Sequence, residues 1–175
     1  MLWLITGAWF VEKLALDHQQ SLRTEAKFKG LHTRITIDNK ECHLLIPITY
    51  MNLSGEAVYA FTKFYKISPE NILIAYDELD YAPGIVRLKE NGGHGGHNGL
   101  HSVIQHLNTR DFLRLRIGIG HPRNSSQPQD VVNYVLHKPS HSEQQLILKS
   151  IDSASNLLSY LVSGNIQQAM KELHS

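Results

Sequence analysis

Cysteine is nearly absent from this 175-residue chain. Cys42 stands alone, so no intramolecular disulfide can staple the fold, and without a CxxC or a Cys/His pair at zinc-finger spacing no structural zinc is implied. Such usage fits a reducing compartment, and a cytoplasmic location is expected. Long apolar runs are missing too. No stretch approaches the ~20 residues needed to cross a bilayer, so no membrane association is expected. The apolar start MLWLITGAWFV has no basic residue before it and no small-x-small site after it, which argues against a secretory leader. Neither sign of charge is in excess, with 17 Lys+Arg against 16 Asp+Glu. At 42% hydrophobic and 19% charged residues, the composition excludes a disordered chain, and the length suggests one domain over residues 1–175.

The distribution of charge says more than its sum. Arg87, Lys89, Arg110, Arg114, Arg116 and Arg123 crowd into residues 85–123 against only Glu90 and Asp111, with five of the eleven histidines beside them. A concentration of this kind suits a polyanion. A solvated basic face that serves solubility explains the count equally well.

Periodicity predicts alternating strands and helices. Leu2 to Ile5 reads as a strand and Thr6-Gly7 as a tight turn, followed by a helix from Ala8 with Val11, Leu14, Ala15 and His18 on one face. Leu31 to Ile37 and Cys42 to Ile48 form a hairpin about Asp38-Asn39-Lys40. A helix follows, capped by Asn52 or Ser54 and stopping before Ser68-Pro69. Ile72 to Tyr76 is a buried strand ending where Asp77 begins a loop, and Ile85 to Lys89 is a short exposed strand. After a glycine-rich run come a helix from Gly99 to Leu107 and a strand from Leu113 to Ile119 whose Arg114 and Arg116 face outward. Residues 124–129 read as a polar loop. Val131 to His137, Glu143 to Val162 and Asn165 to Leu173 are helical. The fold class is therefore α/β, a mixed, largely parallel sheet with helices on both faces, in which ligands bind beyond the strand C-termini. Asp77 lies at such an end.

Three groups of residues carry possible chemistry. Gly92-Gly93-His94-Gly95-Gly96-His97-Asn98-Gly99 puts small residues before a helix, where backbone N–H groups can meet an anion; the run matches neither the Walker nor the GxGxxG pattern, and tight turns use glycine as well. His94, His97 and His101 have the spacing HxxHxxxH, but without HExxH they read better as hydrogen-bonding loop residues than as metal ligands. Asp77, Glu78 and Asp80 offer carboxylates that can orient a histidine, accept a proton or merely cap a turn. Asn52 and Asn98 are helix-cap candidates whose amides also present donor and acceptor together, as recognition of a peptide or a water requires.

Taken in order and spacing, TYMNLSG, AYDELD, GGHGGHNGL and RLRIGIGHP resemble the bacterial-type peptidyl-tRNA hydrolase family over nearly the whole chain. The resemblance implies a monomeric α/β enzyme without metal or organic cofactor, which cleaves the ester joining a peptide to the 3′ ribose of tRNA. It further implies that Asn52 binds the peptide side and positions water, with Tyr50 beside it in the same motif. Asp77 orients a catalytic histidine, Asn98 is a second substrate-positioning amide and His97 supports the loop. Arg87, Lys89 and Arg116 fall where the family presents basic side chains to tRNA phosphate.

One departure bears on catalysis. In the family the first strand leads into a loop resembling LGNPGxxYxxTRHNxG before the helix that begins AWF, and that loop supplies the catalytic histidine. Here Ile5-Thr6-Gly7 joins Ala8-Trp9-Phe10 directly. The expectation is a hydrolase by ancestry whose base is either truly absent or borne by a loop that this sequence does not include. The alternative is a catalytically impaired homologue that retains tRNA or peptide binding. A connection of about two residues remains long enough to join a strand to a helix, so the core should persist. The cleft around Asp77, Asn52 and Asn98 should be wide and exposed, with no imidazole beside Asp77.

Overall fold

The structure, a computed structural model, describes residues 5–122, 130–136 and 138–175. The expected polar loop at residues 124–129, most of the strand assigned to Leu2–Ile5, and the basic Arg123 lie outside them. Asp38 and Asn39 take φ of 48° and 62°, the left-handed pair that a two-residue hairpin needs and that these side chains tolerate. They join β2 (Gly30–Ile37) to β3 (Lys40–Pro47) in register from Gly30↔Pro47 to Ile37↔Lys40. The three-residue β1 (Arg23–Glu25), too short to show a period, adds an antiparallel edge. A second sheet holds β4 (Leu73–Glu78), β5 (Val86–Glu90) and β6 (Leu113–Gly118) in the order β4-β6-β5.

The α/β class stands. Among the described residues, however, the strands form two sheets of three, and only β4 and β6 pair in parallel. The short connections at β2–β3 impose antiparallel pairing, and β5 runs antiparallel to β6. β5 is also not an exposed strand. Val86 and Leu88 are buried, and the Leu88 N–H donates 3.0 Å to Nε2 of His174, at the end of α7 (Ile166–His174).

The first helix differs most from expectation. α1 spans Ile5–Asp17, so Thr6 and Gly7 form its first turn and make no reversal. A glycine inside a helix costs about 1 kcal/mol against alanine, but α1 buries Phe10, Leu14 and Ala15 in the main core, and that packing overrides the local preference. The helix expected from Glu143 to Val162 is two, α5 (His141–Ser155) and α6 (Leu158–Val162). Ser153 and Ser155 donate back to the Lys149 and Asp152 carbonyls, offering the backbone an alternative to continued helix. Ser140 and Glu143 form a capping box that starts α5 two residues early. A shorter α4 (Val131–Leu136) precedes it.

Two apolar clusters cover opposite faces of the second sheet. Leu115 and Ile117 pack with α1 and α5 in one, while Tyr76, Leu100, Val103 and Phe112 join α2 (Ser54–Tyr65) to α3 (Asn98–Leu107) in the other. The α2–α3 contact fixes the site described next. A Cβ on Gly55 would collide with the Ser102 carbonyl group, and the Gly55 N–H donates 2.9 Å to Ser102 Oγ. Gly55→Ala is expected to cost about 1–3 kcal/mol of stability through overpacking, read as a lower urea midpoint at unchanged slope. An unchanged midpoint would show that the two helices can part freely.

Candidate active site

Asp77 is the last but one residue of β4, one position inside the strand instead of opening a loop. Tertiary pairing through Asp77↔Ile117 extends β4 beyond its apolar run. The carboxylate is 9% exposed, so the wide, open cleft expected from the shortened connection is not found at this residue. Nor is Asp77 without an imidazole. Oδ2 lies 4.0 Å from Nε2 of His97, whose ring packs edge-on against Tyr76 at 5.1 Å. Burial raises the Asp77 carboxyl above the ordinary carboxylate value, and His97 partly offsets that. Burial lowers His97 below the ordinary imidazole value, and Asp77 opposes it.

His97 is the N-cap of α3. Its Nδ1 accepts a hydrogen bond from the Leu100 N–H at 3.1 Å. An Nδ1 that accepts leaves the proton of the neutral ring on Nε2, facing Asp77. In this tautomer neither nitrogen is free to take a proton from water, so His97 anchors the loop and partners Asp77.

The amides come from two turns that pack together. Asn52 lies in a single 3-10 turn, Met51–Leu53, and neither it nor Ser54 caps α2 through its side chain; the Ser54 hydroxyl turns back to the Met51 carbonyl. This turn packs on α3. Gly99 permits the approach, since a Cβ there would meet Met51 Sδ at 2.6 Å. Asn52 and Asn98, the neighbours of Met51 and Gly99, are both exposed, at the end of the fold where Asp77 is buried. Tyr50, just before the turn, is 78% exposed.

The glycine-rich run is held from below by a residue that sequence reasoning took for an outward-facing base. Arg114 is 1% exposed; its guanidinium donates 2.6 Å to the Gly93 carbonyl and also to that of Gly92. Alternation along β6 put Arg114 on the correct face, but only the fold shows that the loop covers it. Arg114→Met keeps much of the volume and removes two charge-assisted hydrogen bonds. At ~1.5 kcal/mol each, the expected loss is about 3 kcal/mol, with faster amide exchange in residues 91–97. Unaltered exchange there would mean that the loop holds itself.

His94 and His101 face each other with ring centroids 4.7 Å apart while His97 turns to Asp77, so the three do not converge. Among the described residues no group of three or more His, Cys, Asp or Glu side chains could hold a metal.

Arg87 and Arg116 pair directly across β5 and β6, and Lys89 pairs with Arg114; residues opposite one another share a face. Lys89 is exposed. Arg87 reaches the Leu173 carbonyl at 3.4 Å. Arg116 is tied down: Nε donates 2.8 Å to Glu78 Oε2, and Nη1 donates 2.8 Å to the Tyr81 hydroxyl.

The family model for peptidyl-tRNA hydrolase matches residues 6–175. The chain belongs to the peptidyl-tRNA hydrolase family. A peptidyl-tRNA hydrolase of Marinomonas sp. is 51% identical over 170 residues, which cover 97% of this chain and 86% of that one. One from Vibrio vulnificus is 48% identical, covering 97% and 85%. The crystal structure of peptidyl-tRNA hydrolase from Acinetobacter baumannii superposes with a TM-score of 0.89 at 48% identity, covering 96% of this chain and 84% of that one. Ile5, Thr6, Gly7 and Ala8 are successive residues of α1. No helix among the described residues is long and apolar enough to cross a membrane.

Proposed function

We propose that this chain acts on peptidyl-tRNA, cleaving the ester between the peptide and the 3′ ribose with water as nucleophile, as a single monomeric domain over residues 1–175 in the cytoplasm. The observation that carries the reading is the meeting of the buried Asp77, at the end of β4, with the His97–Asn98 start of α3 and the packed turn bearing Asn52. In this reading Asn52, Tyr50 and Asn98 engage the peptide side and the attacking water, and His97 holds the loop. Arg87, Lys89 and Arg116 meet tRNA phosphate. Neither metal nor organic cofactor takes part. Asp77 orients an imidazole, the role a buried carboxylate at a strand end is suited to.

The finer reading is that the imidazole it would orient as general base is missing. Support comes from the uninterrupted α1 at residues 5–8 and from the occupied Nδ1 of His97. A second reading follows from the same two observations: a homologue that binds tRNA or peptide with little turnover, since binding groups survive the loss of a base. Incubation with end-labelled peptidyl-tRNA tests the proposal. Bound substrate with slow release of free tRNA, reduced by Asp77→Asn, is the expected result. Neither binding nor release would overturn both readings.

A further inference from the structure

β5 lies at the edge of its sheet, and among the described residues it pairs only with β6. An edge strand leaves alternate N–H groups without a ladder partner. At Leu88 a side chain meets that need. Ile166, Ala169, Met170 and Leu173 recur at i, i+3, i+4 and i+7 and pack α7 into the main core, which lays the helix along β5. Its last turn reaches the middle of the strand, where His174 Nε2 accepts a hydrogen bond of 3.0 Å from the Leu88 N–H. An accepting Nε2 carries no proton, so the ring is neutral with its proton on Nδ1. Partial burial and the nearby Arg87 cation hold this imidazole below its ordinary value.

Arg87 is the residue before Leu88. It stands directly opposite Arg116, and like charges in that relation repel. Glu78 holds Arg116. For Arg87 the counterpart is the Leu173 carbonyl, one of the last-turn carbonyls that a helix leaves unpaired at the negative end of its dipole. Nη1 of Arg87 donates to it at 3.4 Å and to the Val86 carbonyl at 3.3 Å. These two acceptors use both protons of Nη1. The Nε–Nη2 edge keeps its parallel N–H groups, the fork that grips a phosphate through two bonds.

We propose that His174 is a positioning residue for phosphate recognition: by pinning the last turn of α7 to the Leu88 N–H, it keeps the Leu173 carbonyl where it orients the Arg87 fork. This role rests on the reading that Arg87 meets tRNA phosphate. A braced guanidinium loses less conformational freedom on binding than a free one. The pin needs only a neutral acceptor, which a glutamine carbonyl provides and a phenyl ring does not.

Filter binding of deacylated tRNA to the whole chain and its variants supplies the test. His174→Phe keeps the bulk of the ring and removes the acceptor; affinity should fall about three- to tenfold, the effect of freeing one long side chain. The salt slope should remain that of the parent, because no cation has been removed. His174→Gln should bind like the parent. Amide exchange at Leu88 should quicken in the phenylalanine variant and not in the glutamine one. In an Arg87→Ala background His174→Phe should have no further effect, since the residue acts through Arg87. Should His174→Phe not fold, His174→Ala takes its place in each comparison. Equal affinity of parent and variant would overturn the role. So would an undiminished loss in the Arg87→Ala background, which is what a merely structural effect produces. A parent without tRNA affinity would overturn the tRNA reading and this role together, whereas a parent that binds no better than His174→Phe overturns this role alone.

Discussion

The chain is expected to release tRNA from peptidyl-tRNA about 10²–10⁴-fold more slowly than a relative carrying the histidine loop, at comparable substrate affinity. A positioned general base contributes a factor of that size, because it removes the proton from water as the new bond forms. In the proposed reading Asn52 and Asn98, on the packed turn and at the start of α3, bind substrate and act on ground state and transition state alike. The deficit should therefore appear in kcat with KM little changed. His97 and His18 are both poorly placed to replace the base. His97 is the ring at Asp77, and its Nδ1 is committed to the Leu100 N–H; His18 sits at the far end of α1, where its Nδ1 lies 2.9 Å from the Leu14 carbonyl. Single-turnover cleavage of labelled substrate measures the effect. A rate equal to that of the relative would mean that another group does the proton transfer.

The second large effect concerns salt. Each phosphate met by a cation releases condensed counterions, so the logarithm of affinity falls with that of salt by about 0.7–0.9 per contact. Arg87 and Lys89 should each supply one contact. Arg116 should supply less, because Glu78 Oε2 lies 2.8 Å from both its Nε and its Nη2 and part of its charge is already met. Replacing Arg87 and Lys89 by alanine should flatten the slope by about 1.4–1.8, roughly a tenfold difference over a fourfold change in salt. Adding Arg116→Ala should flatten it further by less than one contact. Filter binding of deacylated tRNA across a salt series provides the measurement. Identical slopes for parent and triple variant would reduce the basic face to a solvated one.

Where the residues of the candidate site lie was largely legible because they sit in local patterns. Asp77 follows an apolar run, Asn98 follows the glycines, and Asn52 precedes an amphipathic helix; each was located within a residue or two of its observed element. What sequence did not reveal depends on distance through space. Arg114 and Arg116 look alike along β6, yet one is buried beneath the Gly92 and Gly93 carbonyls and the other is braced by Glu78. The ring beside Asp77 belongs to His97, twenty residues further on, and only the cap at Leu100 fixes which nitrogen faces the carboxylate. The sheet was read as one because strands alternate with helices, a pattern that cannot show that the described strands fall into two separate ladders. Gly7 was read as a turn on local preference, which the burial of Phe10 and Leu14 overrode.

The central claim is that the chain keeps the orienting carboxylate and the binding amides and lacks the base. Chemical rescue by free imidazole tests it most directly. Cleavage of peptidyl-tRNA by the parent chain should rise in proportion to added imidazole, and more steeply at pH values where imidazole is neutral. Asp77→Asn should lose most of that gain while binding substrate normally. A parent rate that is already high and indifferent to imidazole, or an equal gain in Asp77→Asn, would contradict the account.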